Sequence, residues 1–356
     1  MNSFHFVDVI TGTRLHFGLI CGTPETGWVF GGIGLMVRQP GWHLRLMSGS
    51  ADCVQFRQTS FTEPDSTLVQ PTVIQEQAVS ERIQKLIATL RNEQWITSDA
   101  VHVEVRGEIP FHSGFGAGTQ LALAVASGLR LLCGHSRDSR VDRLAARLGR
   151  AGRSEIGTRG FQSGGFLVDR GQLIRDECSS DSPSDRVLKI RIPEPWRFVL
   201  IRPRFSEGLS GTGEADYFER QKRMSFSQVN RLAALIEGDI VPAIERADFP
   251  VYARGIQTYG KLVGEFYATE QGGVFSNALM QRVADDLTNE GFPGAAQSSW
   301  GPCICVPASD QTVAEVIRLR VLTQFPDDDL DVTLTEAMSS GAIIRTPAVP
   351  AAPEYH

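Results

Sequence analysis

The chain has 356 residues, of which 42% are hydrophobic and 21% are charged, and its formal net charge is −6 at neutral pH. This length is sufficient for two domains with substantial cores, and the composition is that of an ordinary globular protein. The acidic balance argues against a general nucleic-acid-binding protein, because such a protein needs a broad basic surface.

The first part of the chain is predicted to be rich in β-structure. Short β-rich runs separated by glycine and proline predict strands at Phe4–Val9, Arg14–Ile20, Gly31–Val37, His43–Met47 and Cys53–Phe56. Apolar residues at helical spacing then predict a helix over Glu76–Leu90. Alternation predicts a strand at Val101–Val105, and Thr119–Leu132 places its apolar residues close to one face of a helix.

A glycine-rich run, Ile109–Gln120 (I-P-F-H-S-G-F-G-A-G-T-Q), joins that strand to that helix. Glycine lets the backbone bend freely and approach a ligand, because no Cβ is in the way. The start of the following helix offers unpaired N–H donors and the positive end of the helix dipole. The run contains no lysine, and its spacing is neither that of a P-loop nor that of a G-x-G-x-x-G fingerprint. It predicts a diphosphate cradle built from main-chain amides.

The second half alternates between helices and strands. A glycine-dense segment, Gly149–Phe161, precedes a strand-like run that ends at Asp169, and the polar residues Glu177–Asp185 predict a domain boundary. Strands are predicted at Trp196–Ile201, Ala295–Gln297, Cys303–Val306 and Asp331–Thr335, with helices near Glu214–Leu235, Pro250–Thr269, Asn277–Glu290 and Gln311–Leu322. This pattern predicts an α+β sandwich with helices on one face of an antiparallel sheet. We expect two domains, 1–180 and 181–345, and a proline-rich disordered tail, 346–356.

Cysteine usage and the N-terminal residues both favour a cytoplasmic protein. The six cysteines are Cys21, Cys53, Cys133, Cys178, Cys303 and Cys305. Their spacing fits no zinc site, and buried free thiols suit a reducing compartment; Cys303 and Cys305 are expected to point to opposite faces of a strand. Residues 1–9 lack the features of a signal peptide, and no stretch is apolar enough to cross a bilayer, so no membrane partner is expected.

Four segments carry a family resemblance. They are Arg14–Leu19 (R-L-H-F-G-L), the glycine run with its continuation Gly118–Ala122 (G-T-Q-L-A), Gly149–Asp169, and Gln297–Pro302 (Q-S-S-W-G-P). In this order they span nearly the whole chain, and they resemble the GHMP kinase superfamily and, within it, the β-ribofuranosylaminobenzene 5′-phosphate synthases. The resemblance implies a GHMP-kinase-like α+β fold of two domains, in which a β-rich N-terminal domain with helices carries the phosphate loop.

The same resemblance implies a decarboxylating phosphoribosyltransferase, which is a pentosyltransferase. Such enzymes join phosphoribosyl pyrophosphate to 4-aminobenzoate, or to a 4-hydroxybenzoate-like acid, at the ring carbon that bears the carboxylate. CO₂ and pyrophosphate leave, in the first committed step toward methanopterin-type one-carbon carriers. The resemblance further implies Mg²⁺ as cofactor, no use of ATP, and a homodimer.

Candidate site residues lie within or beside the matching segments. Contacts with substrate are expected from Arg14, His16, Gly114, Gly116, Ala117, Gly118, Thr119, Gln120, Arg153, Arg159, Ser298 and Ser299. A carboxylate near the ribosyl centre would stabilise an oxocarbenium-like transition state, and the catalytic candidates are Glu155, Asp169 and Glu214. Mg²⁺ prefers carboxylates together with substrate phosphates, and its candidate ligands are Thr119 and Glu155. Arginine suits bidentate recognition of carboxylate and phosphate, which assigns the acidic groups of the substrates to Arg14, Arg153 and Arg159.

Two other functions are compatible with these residues. In an ATP-dependent small-molecule kinase of the same superfamily, the glycine run would hold ATP and an aspartate would act as base. In a non-catalytic sensor of a phosphorylated metabolite, the same run would bind ligand without turnover.

Overall fold

The computed structural model describes residues 5–26, 28–57, 73–97, 100–136, 141–150, 154–171, 186–204, 223–299, 301–326 and 329–347. In the first half its elements are β1 (Val7–Cys21), β2 (Val29–Ser48), β3 (Cys53–Phe56), α1 (Val73–Asn92), β4 (Val101–Gly107), α2 (Ala117–Leu132), α3 (Val141–Arg147), α4 (Ile156–Ser163) and β5 (Phe166–Asp169). The later elements are β6 (Val187–Ile190), β7 (Arg197–Pro203), α5 (Phe226–Leu235), a π-helical turn (Ile236–Ile240), α6 (Val241–Glu245), α7 (Phe249–Gln271), α8 (Ala278–Asn289), β8 (Ala296–Gln297), β9 (Ile304–Ala308), α9 (Gln311–Gln324), β10 (Leu330–Thr335) and β11 (Ile343–Arg345).

The larger sheet has seven strands in the order β11-β1-β2-β4-β3, with β5 paired to β2 and β6 paired to β5. Strands β1 and β2 form a long antiparallel pair that runs from Val7 opposite Leu46 to Cys21 opposite Val29. Helix α2 packs closely on this pair, because Gly128 faces the side chains of Val9 and Leu46. As a result, the first turn of α2 lies beside the middle of β1, next to Arg14.

The smaller sheet is antiparallel, as the sequence predicts, in the order β10-β7-β9-β8. One face packs against α8 and α9 through buried residues such as Val283 and Ile317. The prediction that helices cover only one face is wrong. The opposite face lies in the larger core, where Cys305 is close to Tyr252 of α7.

Most of the predicted elements are confirmed, including the helix at Glu76–Leu90 and the strand-to-helix passage around the glycine run. The sequence patterns did not predict α3, α4, β6, α6 and β11. Helix α4 is glycine-rich, and it depends on a distant residue, since the Asp169 carboxylate accepts a hydrogen bond from the N–H of Glu155 just before the helix (2.8 Å).

The predicted division into 1–180 and 181–345 stays a prediction, since the boundary at 177–185 and residues 348–356 lie outside the described residues. Two of the described strands cross that division. Strand β6 pairs with β5, with Phe166 opposite Ile190, and β11 pairs with β1, with Val9 opposite Ile344.

Cys21, Cys303 and Cys305 are free and buried, which confirms the expectation of buried thiols at these positions. The expectation of opposite faces for Cys303 and Cys305 is wrong, because residues two apart on a strand share a face, and both belong to the larger core. Within the described residues, no helix is long and apolar enough to cross a membrane.

Candidate active site

The glycine run turns the chain sharply from β4 into α2. Gly114 and Gly116 both have left-handed backbone conformations, with φ of 83° and 65°, and Gly116 is the N-cap of α2 without any side-chain cap. Among the described residues, no acceptor faces the N–H groups of Gly116, Ala117 and Gly118. Uncapped N–H groups at the start of a 16-residue helix form an anion-binding end.

Ser298 and Ser299 hold this turn against strand β1. The buried Ser298 hydroxyl accepts a hydrogen bond from the His16 N–H (3.1 Å) and donates one to the Gly114 carbonyl (2.7 Å). A Cβ on Gly114 would collide with the Ser298 carbonyl, so glycine is required there. The N–H of Ser299 donates to the His16 carbonyl at 2.7 Å. The matching segments at the two ends of the chain therefore meet at the glycine turn.

Arg14 lies beside the N-cap of α2. Its guanidinium donates to the Ser299 hydroxyl (2.9 Å), and its backbone N–H donates to the Phe115 carbonyl (2.9 Å). Arg150 lies beside the first turn of α2, where its terminal nitrogens are 3.6 and 3.9 Å from the position that a Cβ on Gly118 would take. Two guanidinium groups thus flank the free amides of the helix.

A cleft of about 930 Å³ opens in front of this helix end. It is lined by Arg14, Arg82, Lys85, Leu86, Thr89, Phe111, His112, Gly114, Phe115, Gly116, Ala117, Gly118, Thr119, Leu121, Arg147, Leu148, Arg150, Ser299 and Gly301. Five of these side chains are cationic, and none of the described lining residues is an aspartate or a glutamate. The cleft is therefore built for a strongly anionic ligand.

Helix α1 forms the far wall of the cleft. The guanidinium of Arg82 lies over the Phe111 ring (3.8 Å from its centroid) and 3.4 Å from Nε2 of His112. Burial lowers the pKa of Arg82, which stays far above neutral pH for an arginine. Lys85, one turn further along α1, is exposed and has no ion-pair partner among the described residues.

Two of the predicted site residues, His16 and Asp169, lie behind the cleft rather than on its wall. His16 accepts the Gly18 N–H at Nδ1 (3.3 Å), which places its proton on Nε2, 3.3 Å from the Ser154 hydroxyl. Ser154 in turn donates to the Asp169 carboxylate (2.9 Å). Burial lowers the pKa of His16 to about 3 and raises that of Asp169, so the imidazole is neutral at neutral pH. The chain of contacts joins β1, β5 and α4.

Gln120, Glu155 and Arg159 also lie off the cleft wall. Gln120 is fully buried; it accepts from the Thr11 hydroxyl (2.8 Å) and donates to the Gly157 carbonyl (2.9 Å). Glu155 and Arg159 form an ion pair with each other at 3.0 Å. Each side chain thus has a partner within the protein.

The remaining predicted site residues divide as follows. Arg14, Gly114, Gly116, Ala117, Gly118, Thr119 and Ser299 line the cleft. Arg153 and Glu214 lie outside the described residues. Four cations of the cleft were not predicted from the sequence: Arg82, Lys85, Arg147 and Arg150. For the pair on α1 a signal existed: Arg82, Lys85 and Thr89 recur at helical spacing beside the apolar stripe.

The described donor set does not fit a protein-held Mg²⁺. Thr119 lines the cleft, but the carboxylate of Glu155 is paired with Arg159 and lies elsewhere. In the part of the chain that the structure describes, no group of three or more His, Cys, Asp or Glu side chains could hold a metal ion.

Glu108, directly after β4, carries a half-buried carboxyl group outside the cleft. Its Oε2 atom has no hydrogen-bond partner among the described residues. Burial, with a smaller contribution from the neighbouring Glu76 carboxylate, raises the pKa of Glu108 to about 7.

Comparison with known proteins places this site in a family context. Residues 81–160 match the family of GHMP kinases, N-terminal domain. That match covers the second part of α1, the glycine run and the start of α4.

Two curated archaeal relatives share a name. The β-ribofuranosylphenol 5′-phosphate synthase of Methanothermobacter thermautotrophicus is 31% identical over 306 residues, which is 83% of this chain and 86% of the relative. The enzyme of the same name from Methanocaldococcus jannaschii is 25% identical, over 86% of this chain and 90% of the relative.

Solved structures agree on the fold. Homoserine kinase from Cytophaga hutchinsonii superimposes with a TM-score of 0.60 at 17% identity, over 97% of this chain and 99% of that one. The predicted GHMP-kinase-like α+β fold is confirmed.

Proposed function

This chain belongs to the β-ribofuranosylphenol 5′-phosphate synthase family, and we propose that it transfers the phosphoribosyl group of phosphoribosyl pyrophosphate to the ring of a 4-substituted benzoate. CO₂ and pyrophosphate are released. The observation that carries this proposal is the cleft at the start of α2, where free amides and five cations face one space and none of the described lining residues is a carboxylate. One of the five cations, Arg147, is ion-paired with Glu93 from outside the lining (3.6 Å). The reaction would be the first committed step toward methanopterin-type carriers.

The proposed chemistry has two steps. First, the bond between C1′ and the pyrophosphate oxygen breaks, its electron pair leaves with pyrophosphate, and the ring carbon that bears the carboxylate bonds to C1′. Second, the ring–carboxylate bond breaks, and its electron pair restores the aromatic ring as CO₂ departs. No redox partner is needed.

The cleft supports the first step by stabilising the leaving group. The amides of Gly116 and Gly118, with the guanidinium groups of Arg14 and Arg150, are fixed before the reaction where the negative charge develops. A hydrogen bond to a charged group contributes about 1.5–3 kcal/mol, so a few of them supply a substantial share of the barrier reduction.

The aromatic acid is proposed from the names of the relatives. Both are called ribofuranosylphenol synthases, and a phenol product carries a ring hydroxyl, which favours 4-hydroxybenzoate over 4-aminobenzoate. The assay must therefore offer both acids.

Three further expectations stay predictions. Mg²⁺ would bind mainly through the phosphates of the substrate rather than through side chains, given the donor set of the described cleft. ATP is not expected to be consumed. The homodimer implied by the family resemblance is testable by light scattering coupled to size-exclusion chromatography.

The decisive experiment measures both products. Purified protein is incubated with phosphoribosyl pyrophosphate and either acid carrying a labelled carboxyl group, with and without Mg²⁺. We expect labelled CO₂ and pyrophosphate in equal amounts, without ATP. Protein that is folded but releases neither product refutes the proposal, whereas ADP formed only when ATP is supplied supports the kinase alternative.

A further inference from the structure

Four of the five cations of the cleft fall into two groups, and the fifth, Arg147, is ion-paired with Glu93 (3.6 Å). Arg14 and Arg150 flank the first turn of α2. Arg82 and Lys85 project from α1, on the far wall beside Phe111 and His112. A single diphosphate at the start of α2 uses the first group and leaves the second without a described anionic partner.

The far-wall group has the features of a built anion site. Arg82 is half-buried and held by two neighbours, since its guanidinium stacks on the Phe111 ring at 3.8 Å and contacts His112 at 3.4 Å. Neither neighbour is a carboxylate, so the positive charge is positioned without being neutralised by any residue that the structure describes. Lys85, one turn away, adds a second charge on the same side of α1.

We propose that Arg82 and Lys85 form a second anion subsite, which binds the 5′-phosphate of the sugar diphosphate while the start of α2 binds its pyrophosphate. This inference rests on the proposed function for the identity of the ligand. A sugar with phosphate groups at both ends fits a cleft with cations at two places, and about 930 Å³ is ample for it.

The aromatic carboxylate is a poorer match for this subsite. That group leaves as neutral CO₂, so a strong ion pair with it would stabilise the bound acid more than the transition state and slow the reaction. The 5′-phosphate keeps its charge throughout. Binding energy at such an unreacting group orients the reacting carbon without opposing the reaction.

The test separates the two ends of the ligand by calorimetry. Ribose 5-phosphate and inorganic pyrophosphate are titrated separately into wild type and into Lys85→Gln, which removes one exposed charge and should not disturb folding. We expect the dissociation constant for ribose 5-phosphate to rise at least fivefold and that for pyrophosphate to change less than twofold. Lys261→Gln is the matched control, since Lys261 is exposed and outside the cleft; it should change neither.

Three results would overturn the proposed subsite. Lys85→Gln could bind ribose 5-phosphate as tightly as wild type, it could lose affinity equally for both ligands, or it could lose affinity for pyrophosphate alone. The outcome is independent of turnover. If Lys85→Gln loses affinity only for ribose 5-phosphate while the wild-type protein releases no CO₂, the subsite is supported and the proposed reaction is refuted.

Discussion

Gly118→Val tests the diphosphate cradle with little risk to the fold. Gly118 lies in the first turn of α2 and has no left-handed φ, so valine fits its backbone. A Cβ there would meet only the guanidinium of Arg150, at 3.6 and 3.9 Å, which is ordinary contact distance. The two methyl groups of valine would extend into the gap between the helix amides and Arg150.

The magnitude follows from the contacts that the methyl groups would displace. An anion bound between the amides and Arg150 would lose one charge-assisted hydrogen bond of about 1.5–3 kcal/mol. Since about 1.4 kcal/mol corresponds to a tenfold change, pyrophosphate should bind roughly 10- to 100-fold more weakly. Stability should be unchanged or slightly higher, because glycine is the poorest helix former after proline.

Calorimetric titration with pyrophosphate gives the affinity, and thermal unfolding followed by circular dichroism confirms the fold. Gly238→Val is the matched control, because Gly238 is an exposed helical glycine with no atom within 4 Å of its built Cβ, and it is outside the cleft. A folded Gly118→Val variant that binds pyrophosphate like wild type would refute the cradle.

Three further predictions concern the residues around the cleft. Gly116→Val should lower the free energy of unfolding by roughly 1–3 kcal/mol in urea titrations, because Gly116 is left-handed and its Cβ would lie 2.7 Å from Nε of Arg14; equal stability would contradict this. The pKa of Glu108 is about 7 in the native state and 4.5 in the unfolded chain, so the native carboxyl stays protonated over a wider pH range. Its contribution to the free energy of unfolding is therefore fully present below pH 4.5 and is lost as the pH rises. Relative to Glu108→Gln, wild type should lose about 3 kcal/mol of unfolding free energy between pH 4 and pH 8. Parallel pH profiles of stability for wild type and variant would exclude the raised pKa of Glu108. The pH dependence of the His16 contribution has the opposite sign. The pKa of His16 is 6.5 in the unfolded chain and about 3 in the native state, so its contribution to the free energy of unfolding is lost as the pH falls. Relative to His16→Gln, wild type should lose about 2 kcal/mol between pH 7 and pH 5, and a smaller loss in wild type would count against the neutral imidazole.

The amino-acid sequence by itself determined the local elements and the kind of ligand. Helix α1, helix α2 and the smaller sheet follow from periodicity, because apolar spacing records which face of an element is buried. The glycine run before α2 predicts an amide cradle, because turn chemistry and helix termini are properties of adjacent residues. The motif order also sufficed to identify the family.

The tertiary structure decided which of the candidate residues line the cleft. In the sequence His16 and Asp169 are polar residues in matching motifs, and only the packed sheet shows that they are buried behind the cleft. Arg82 and Lys85 precede the glycine run by about 30 residues, and they join it only because α1 and α2 pack on the same sheet. Gly116 and Gly118 look equivalent in the sequence, yet one is left-handed against Arg14 and the other is open toward Arg150. These distinctions depend on contacts between residues far apart in the chain, and no local pattern encodes them.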